Sequence, residues 1–133
     1  MSQEHVELAR RYIEAFNSGG LEGSAQWRHP DVELHDPPEL PDAGRYVGEA
    51  AVRARVQEVI DMGWEGRFRN PEYIDADAEV VVAWEFRVIS AHGGGFPLDI
   101  PQVHVLLFED GKVRRVRMYM SRQEALEAAG LRS

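Results

Sequence analysis

"IPQVHVLLFEDGKVRRVRMYM", residues 100–120, is a pair of alternating apolar runs joined by Glu109–Lys112, and the register of that turn decides which faces meet the core. A two-residue turn at Asp110–Gly111 sets His104 opposite Arg117. A three-residue turn, with Gly111 in the left-handed bulge position, pairs Phe108 with Lys112, His104 with Val116 and Gln102 with Met118. The second register is preferred because it sorts the side chains. Leu106, Phe108, Val116, Met118 and Met120 then share one face with Gln102 and His104, while Arg115, Arg117 and Tyr119 fall beside Val103, Val105 and Leu107. Arg114 is the one charged residue on the inner face, close enough to the hairpin end to reach solvent.

Upstream, "EVVVAWEFRVIS" (79–90) places Val80, Val82, Trp84, Phe86 and Val88 on a wholly apolar face, which marks the core. Its other face joins Val103, Val105 and Leu107 in a surface too apolar for comfortable exposure. That predicts a homodimer through Val81, Ala83, Val103, Val105 and Leu107. Glycines at Gly93–Gly95 read as the turn between these strands. "RFRNPEYID" (67–75) is a weaker strand, with Pro71 suggesting an edge or bulge. The N-terminal half is helical: Val6, Ala9, Ile13 and Phe16 recur at helical spacing, and "NSGG" (17–20) ends that helix. A short second helix is expected over Leu21–Trp27, then a strand to His35 and a Pro/Gly-rich loop through Gly44. Val52, Val56, Val59 and Ile60 define a third helix ending near Gly63. After the strands, "SRQEALEAAGL" (121–131) closes the chain with Ser121 and Glu124 at capping-box spacing and Gly130 as C-cap. Helices first and a meander last read as α+β, with helices on one face of the sheet.

The 133 residues fit one domain, 1–133, and the composition, 44% hydrophobic and 29% charged, is that of a globular protein. There is no cysteine, so thiolate sites and disulfides are excluded. A formal charge of −8 argues against a nucleic-acid partner. The N-terminus has no apolar signal core and no apolar run reaches membrane length, so a cytoplasmic protein with no membrane partner is expected.

"VELHDPPEL" (32–40) alternates as a strand and stops at Asp36 before two prolines. Asp before Pro is ordinary turn chemistry, yet a strand end is also where a carboxylate is held rigidly. If Asp36 faces inward, His35 faces outward. His29, His35 and His104 have no metal-ligand spacing, so no metal is expected. Trp27, Trp64, Trp84 and Phe68 read first as core aromatics. Gln102 and His104, polar on an otherwise apolar face, read as lining a cavity for a small hydrophobic molecule, together with Tyr12, Phe16, Trp84, Phe86, Val116 and Met118, with Asp36 at or near it.

The runs "ARRYIEAFNSGGLEG", "HPDVELHDPP", "VGEAAVRARV" and "VHVLLFEDGKVRRVRMYMSRQEALEAAGL" make the chain resemble the nuclear-transport-factor-2-like superfamily, nearest to its SnoaL-like polyketide cyclases, with ketosteroid isomerases further off. The resemblance covers nearly the whole chain. It implies a cone-shaped, curved antiparallel sheet packed on N-terminal helices, with a short C-terminal helix. It implies no cofactor. The isomerase pattern places its carbonyl-polarising tyrosine on Tyr12, its general base on Asp36 and its second oxyanion donor on His104. The cyclase pattern matches Gln102 and His104, but its catalytic aspartate falls on Met118. Two readings follow: an isomerase or cyclase acting on a carbonyl compound with Asp36 as base, or a ligand-binding module that has lost the family's carboxylate.

Overall fold

The computed structural model describes residues 2–89 and 97–131; the Gly93–Gly95 turn expected from the sequence lies outside them. The first helix, α1 (Ser2–Gly23), is longer than the sequence suggests because it continues past a break at Gly20. Gly20 adopts φ 64°, ψ −150°, backbone that essentially only glycine enters without strain. The helix expected at Leu21–Trp27 is therefore the tail of α1 followed by a 3-10 turn at Ala25–Trp27. Ala9, Ile13 and Phe16 are buried on its inner stripe, as their spacing dictates. Asn17 fixes the helix end to the segment before the sheet, donating to the Phe68 carbonyl at 3.0 Å and accepting the Phe68 N–H at 2.7 Å.

Strand β1 (Arg28–His35) follows, and the Pro/Gly-rich loop then gives way to a short strand that sequence reasoning missed, β2 (Arg45–Val47). Helix α2 (Glu49–Asp61) precedes β3 (Arg69–Ala76), β4 (Glu79–Val88), β5 (Leu98–Glu109) and β6 (Lys112–Tyr119), and α3 (Arg122–Ala128) comes last. The strands form one open, curved sheet in the order β2-β1-β6-β5-β4-β3. The β3–β6 meander is antiparallel, but β1 joins β6 in parallel, which makes the sheet mixed. β3 is an edge strand with a register shift between Arg69 and Glu72, which accommodates Pro71 where no ladder donor is needed.

The β5–β6 turn differs from the expected register. Asp110 (φ 55°) and Gly111 (φ 75°) form a two-residue turn, with Glu109 opposite Lys112 and Phe108 opposite Val113. The extra residue is taken up instead at Arg114, which has no partner between Val113 and Arg115. Beyond this bulge His104 faces Met118, not Val116. The predicted sorting of faces survives, because the turn and the bulge together shift the pairing by an even number of residues. Arg114 leaves the inner face and donates to the Asp31 carbonyl at 2.6 Å and to Glu33 at 3.2 Å.

The outer face also departs from expectation. Val81, Val103 and Val105 are buried within the chain, because α3 packs Ala125, Leu126 and Ala129 against them. Ser121 caps α3 by accepting the Glu124 N–H at 3.3 Å, and Arg117 donates to the Ala128 carbonyl at its other end at 3.2 Å. Of the proposed dimer surface, only Ala83 and Leu107 are left half-buried. Among the described residues, no helix is long and apolar enough to cross a membrane.

Candidate functional site

Between α1, α2 and the inner sheet face lies a cavity of about 80 Å³. Of the residues expected at the cavity, Tyr12, Phe16, Trp84, Phe86, Gln102, His104, Val116 and Met118 line it, and Asp36 does not. Strand alternation brings the sheet residues together, since Trp84 pairs with Gln102 and His104 lies between Val82 and Met118. Val32 and Leu34 add the inner face of β1, and Val52, Val56 and Val59 add the apolar stripe of α2. Among the described residues, no carboxylate lines the cavity.

One wall is a mesh of rings. Phe68 and Trp84 have centroids 4.4 Å apart, Trp64 stacks on Phe86 at 5.6 Å, and His104 meets Trp84 edge-on at 5.0 Å. Such pairs contribute about 0.5–1.5 kcal/mol each beyond the area they bury. Trp64 and Phe68 thus belong both to the core and to the cavity wall. Burial holds the His104 pKa down at about 3, so its imidazole is neutral at neutral pH. Its Nε2 has no hydrogen-bond partner among the described residues, and the same is true of the Trp64 and Trp84 indole nitrogens.

The opposite wall carries a residue that sequence reasoning missed. Arg28 is buried at the start of β1 and lines the cavity beside Tyr12. Its Nε donates to both Glu49 oxygens, at 2.9 and 3.2 Å. Its Nη1 donates to Ser24 Oγ at 2.7 Å and its Nη2 to the Leu21 carbonyl at 2.7 Å. The break at Gly20 is what turns Leu21 toward this guanidinium. Burial pushes the Tyr12 phenol pKa up, against the opposing pull of Arg28, so Tyr12 keeps its proton. A partner twenty-one positions away in sequence, Glu49, leaves no local signal that this arginine is buried.

Asp36 is held outside the cavity lining, in a small recess with His35, Pro38, Arg117, Met118 and Tyr119. Arg55 donates to its two oxygens at 3.3 and 3.4 Å, Tyr46 Oη–H at 3.1 Å and the Gly44 N–H at 3.0 Å. These bonds close the loop from 36 to 44, the turn role that a residue before two prolines suggests. Among the described residues, Met118 alone borders both the recess and the cavity. His35 borders the same recess as Asp36, against the expectation that alternation would part them, and lies 3.2 Å from Glu33.

The group with ligand-like spacing among the described residues is His29, Glu109 and Asp110. His29 Nδ1 accepts the Asp31 N–H at 3.0 Å, which leaves the ring proton on Nε2, 3.1 Å from Glu109. A metal would need that nitrogen deprotonated, so the tautomer set by Asp31 works against coordination.

Residues 9–116 match the family model described as the SnoaL-like domain. Among solved structures, a proposed polyketide cyclase of Xanthomonas campestris pv. campestris shares the fold at TM-score 0.73 and 23% identity, over 96% of this chain and 98% of that one. TerC, co-crystallised with polyporic acid, is similar at TM-score 0.71 and 24% identity, over 96% and 98%. An NTF2-like protein of Burkholderia pseudomallei K96243 is similar at TM-score 0.72 and 24% identity, over 93% and 95%. No curated protein matches the chain.

Proposed function

We propose, on the premise that this chain belongs to the SnoaL-like domain family, that it binds a small, mainly apolar organic molecule in the cavity between α1, α2 and the sheet. The observation carrying this reading is a mainly apolar cavity into which, among the described residues, a few polar side chains converge: Tyr12, Arg28, Gln102 and His104. Titration of the protein with apolar ring compounds, followed by tryptophan fluorescence and by NMR signals of Val116 and Met118, tests it. Binding that persists undiminished in a cavity-filling Val116→Phe variant would place the ligand elsewhere.

A second reading is favoured by Tyr12 and His104 sharing that cavity. In it the protein is a cofactor-independent isomerase or cyclase for a carbonyl compound. The Asp36 carboxylate takes a proton from the carbon beside the carbonyl, the C–H electron pair moves into the enolate, and Tyr12 and neutral His104 donate hydrogen bonds to its oxygen. Asp36 must first exchange its Arg55 contact for the substrate, past Met118. Exchange of the α-protons of a bound ketone with solvent deuterium tests this step. Equal exchange in wild type and Asp36→Asn rules out Asp36 as base, and exchange at the solvent background in both leaves the binding reading alone.

A further inference from the structure

We infer, resting on the reading of the cavity as a ligand site, that Leu21 is its gate. The cavity exchanges its occupant with the groove between α1 and α2 when the turn after Gly20 swings outward.

An apolar cavity of about 150 Å³ holds one benzene ring, so at about 80 Å³ a wall has to give before an organic molecule enters. Outside the cavity, between the tail of α1 and α2, lies a groove of about 580 Å³ bordered by exposed Gly19, Glu22, Ala50, Ala54 and Gln57. Among the described residues, Leu21 alone lines both spaces, so its side chain is the partition. Helix α2 contributes Val52, Val56 and Val59 to the cavity and Ala50, Arg53, Ala54 and Gln57 to the groove. α1 and α2 each pack on the sheet and scarcely on each other, which leaves a gap for Leu21 to close.

Leu21 sits on the part of the lining best able to move. The non-helical backbone of Gly20 separates its turn from the body of α1, and no atom lies within 4 Å of where a Cβ would stand on Gly20. Two contacts latch the turn: Arg28 Nη2 donates to the Leu21 carbonyl at 2.7 Å, and Glu22 pairs with Arg53 of α2. Glu22 is largely exposed, so that pair is weak and screened by salt. When the turn swings out, Arg28 keeps Glu49 and Ser24, and no buried charge is stranded. Met118 also borders a second space, the Asp36 recess, but its strand is hydrogen-bonded to β1 and β5, so only the side chain can yield there.

Xenon, which occupies apolar cavities without polar partners, is the probe. Shifts of the Val56 and Val116 methyl signals place it in the cavity, and saturation transfer on dissolved xenon measures its exchange rate. Leu21→Ala and Met118→Ala each trim the lining at a different boundary, and exchange is expected to be about tenfold faster in Leu21→Ala than in Met118→Ala. Glu22→Gln, which leaves the cavity lining intact, should speed exchange by up to about fivefold relative to wild type. Salt at about 1 M should speed the wild type likewise and add nothing to Glu22→Gln. Exchange no faster in Leu21→Ala than in Met118→Ala overturns the gate while the cavity remains a ligand site. Exchange indifferent to both Glu22→Gln and salt overturns the swinging turn. Absence of xenon shifts in wild type and variants alike overturns the gate and the ligand-site reading together.

Discussion

At neutral pH His104 carries no charge, because the apolar wall around it holds its pKa near 3. An unfolded histidine titrates near 6.5, so between these values the unfolded chain binds a proton that the folded one refuses. The stability this withholding represents is present above pH about 6.5 and is lost as pH falls toward 3, with a slope approaching 1.4 kcal/mol per pH unit. Glu33 acts in the same direction at lower pH: its contacts with His35, and further with Arg45 and Arg114, hold its pKa at about 2. Its contribution is present above the ordinary carboxylate range and is lost as pH falls through that value. Urea midpoints measured from pH 7 to 4 should fall steadily in wild type. In His104→Phe they should stay level until carboxylates begin to titrate; parallel curves for the two proteins would refute the linkage. At this scale the sequence reveals which residues are polar on an apolar face, as His104 and Gln102 are, while the role expected of Tyr12 rests on the family resemblance. It does not reveal who pairs with whom: the Arg55 contact of Asp36 and the Glu49 contact of Arg28 join residues from different elements.

Elements were legible wherever one period dominates. Val80, Val82 and Trp84 announce β4, and Ala9, Ile13 and Phe16 announce the buried stripe of α1. β2 was not legible, because three residues with none buried make no pattern of their own; β2 exists by pairing with Glu33–His35 of β1. The register of the β5–β6 hairpin was misjudged for a similar reason, since the bulge at Arg114 is stabilised by Asp31 and Glu33 of another strand. The end of α1 shows how adjacent glycines can have opposite value. A Cβ at either Gly19 or Gly20 meets nothing within 4 Å, so backbone geometry alone separates them. Gly19→Ala is expected to raise stability by about 0.5–1 kcal/mol, as for any helical glycine. Gly20→Ala should lower it by about 1–3 kcal/mol, because φ 64° with ψ −150° excludes a side chain. Thermal unfolding of both variants decides it, and two shifts of the same sign would contradict the assigned break.

For the molecule as a whole, α3 is the element whose placement the sequence concealed. Its capping signals fix that it is a helix and say nothing of the face it covers. By docking over Val81, Val103 and Val105 it occupies the surface on which a homodimer was expected. Dimerisation through that face therefore has to compete with the chain's own helix. Ala125→Glu puts a charge at a fully buried contact and should release α3, increasing the mass seen by light scattering at micromolar concentration. Ligand binding in the cavity, on the other side of the sheet, should persist; unchanged mass would show that the uncovered face does not pair with a second copy. The parallel pairing of β1 with β6 carries a consequence for synthesis. Leu34 finds its neighbour in Val116, so the first strand made must wait for the last one before it joins the sheet. During translation the N-terminal half leaves the ribosome without its template, and its apolar stripes stay uncovered until β6 emerges.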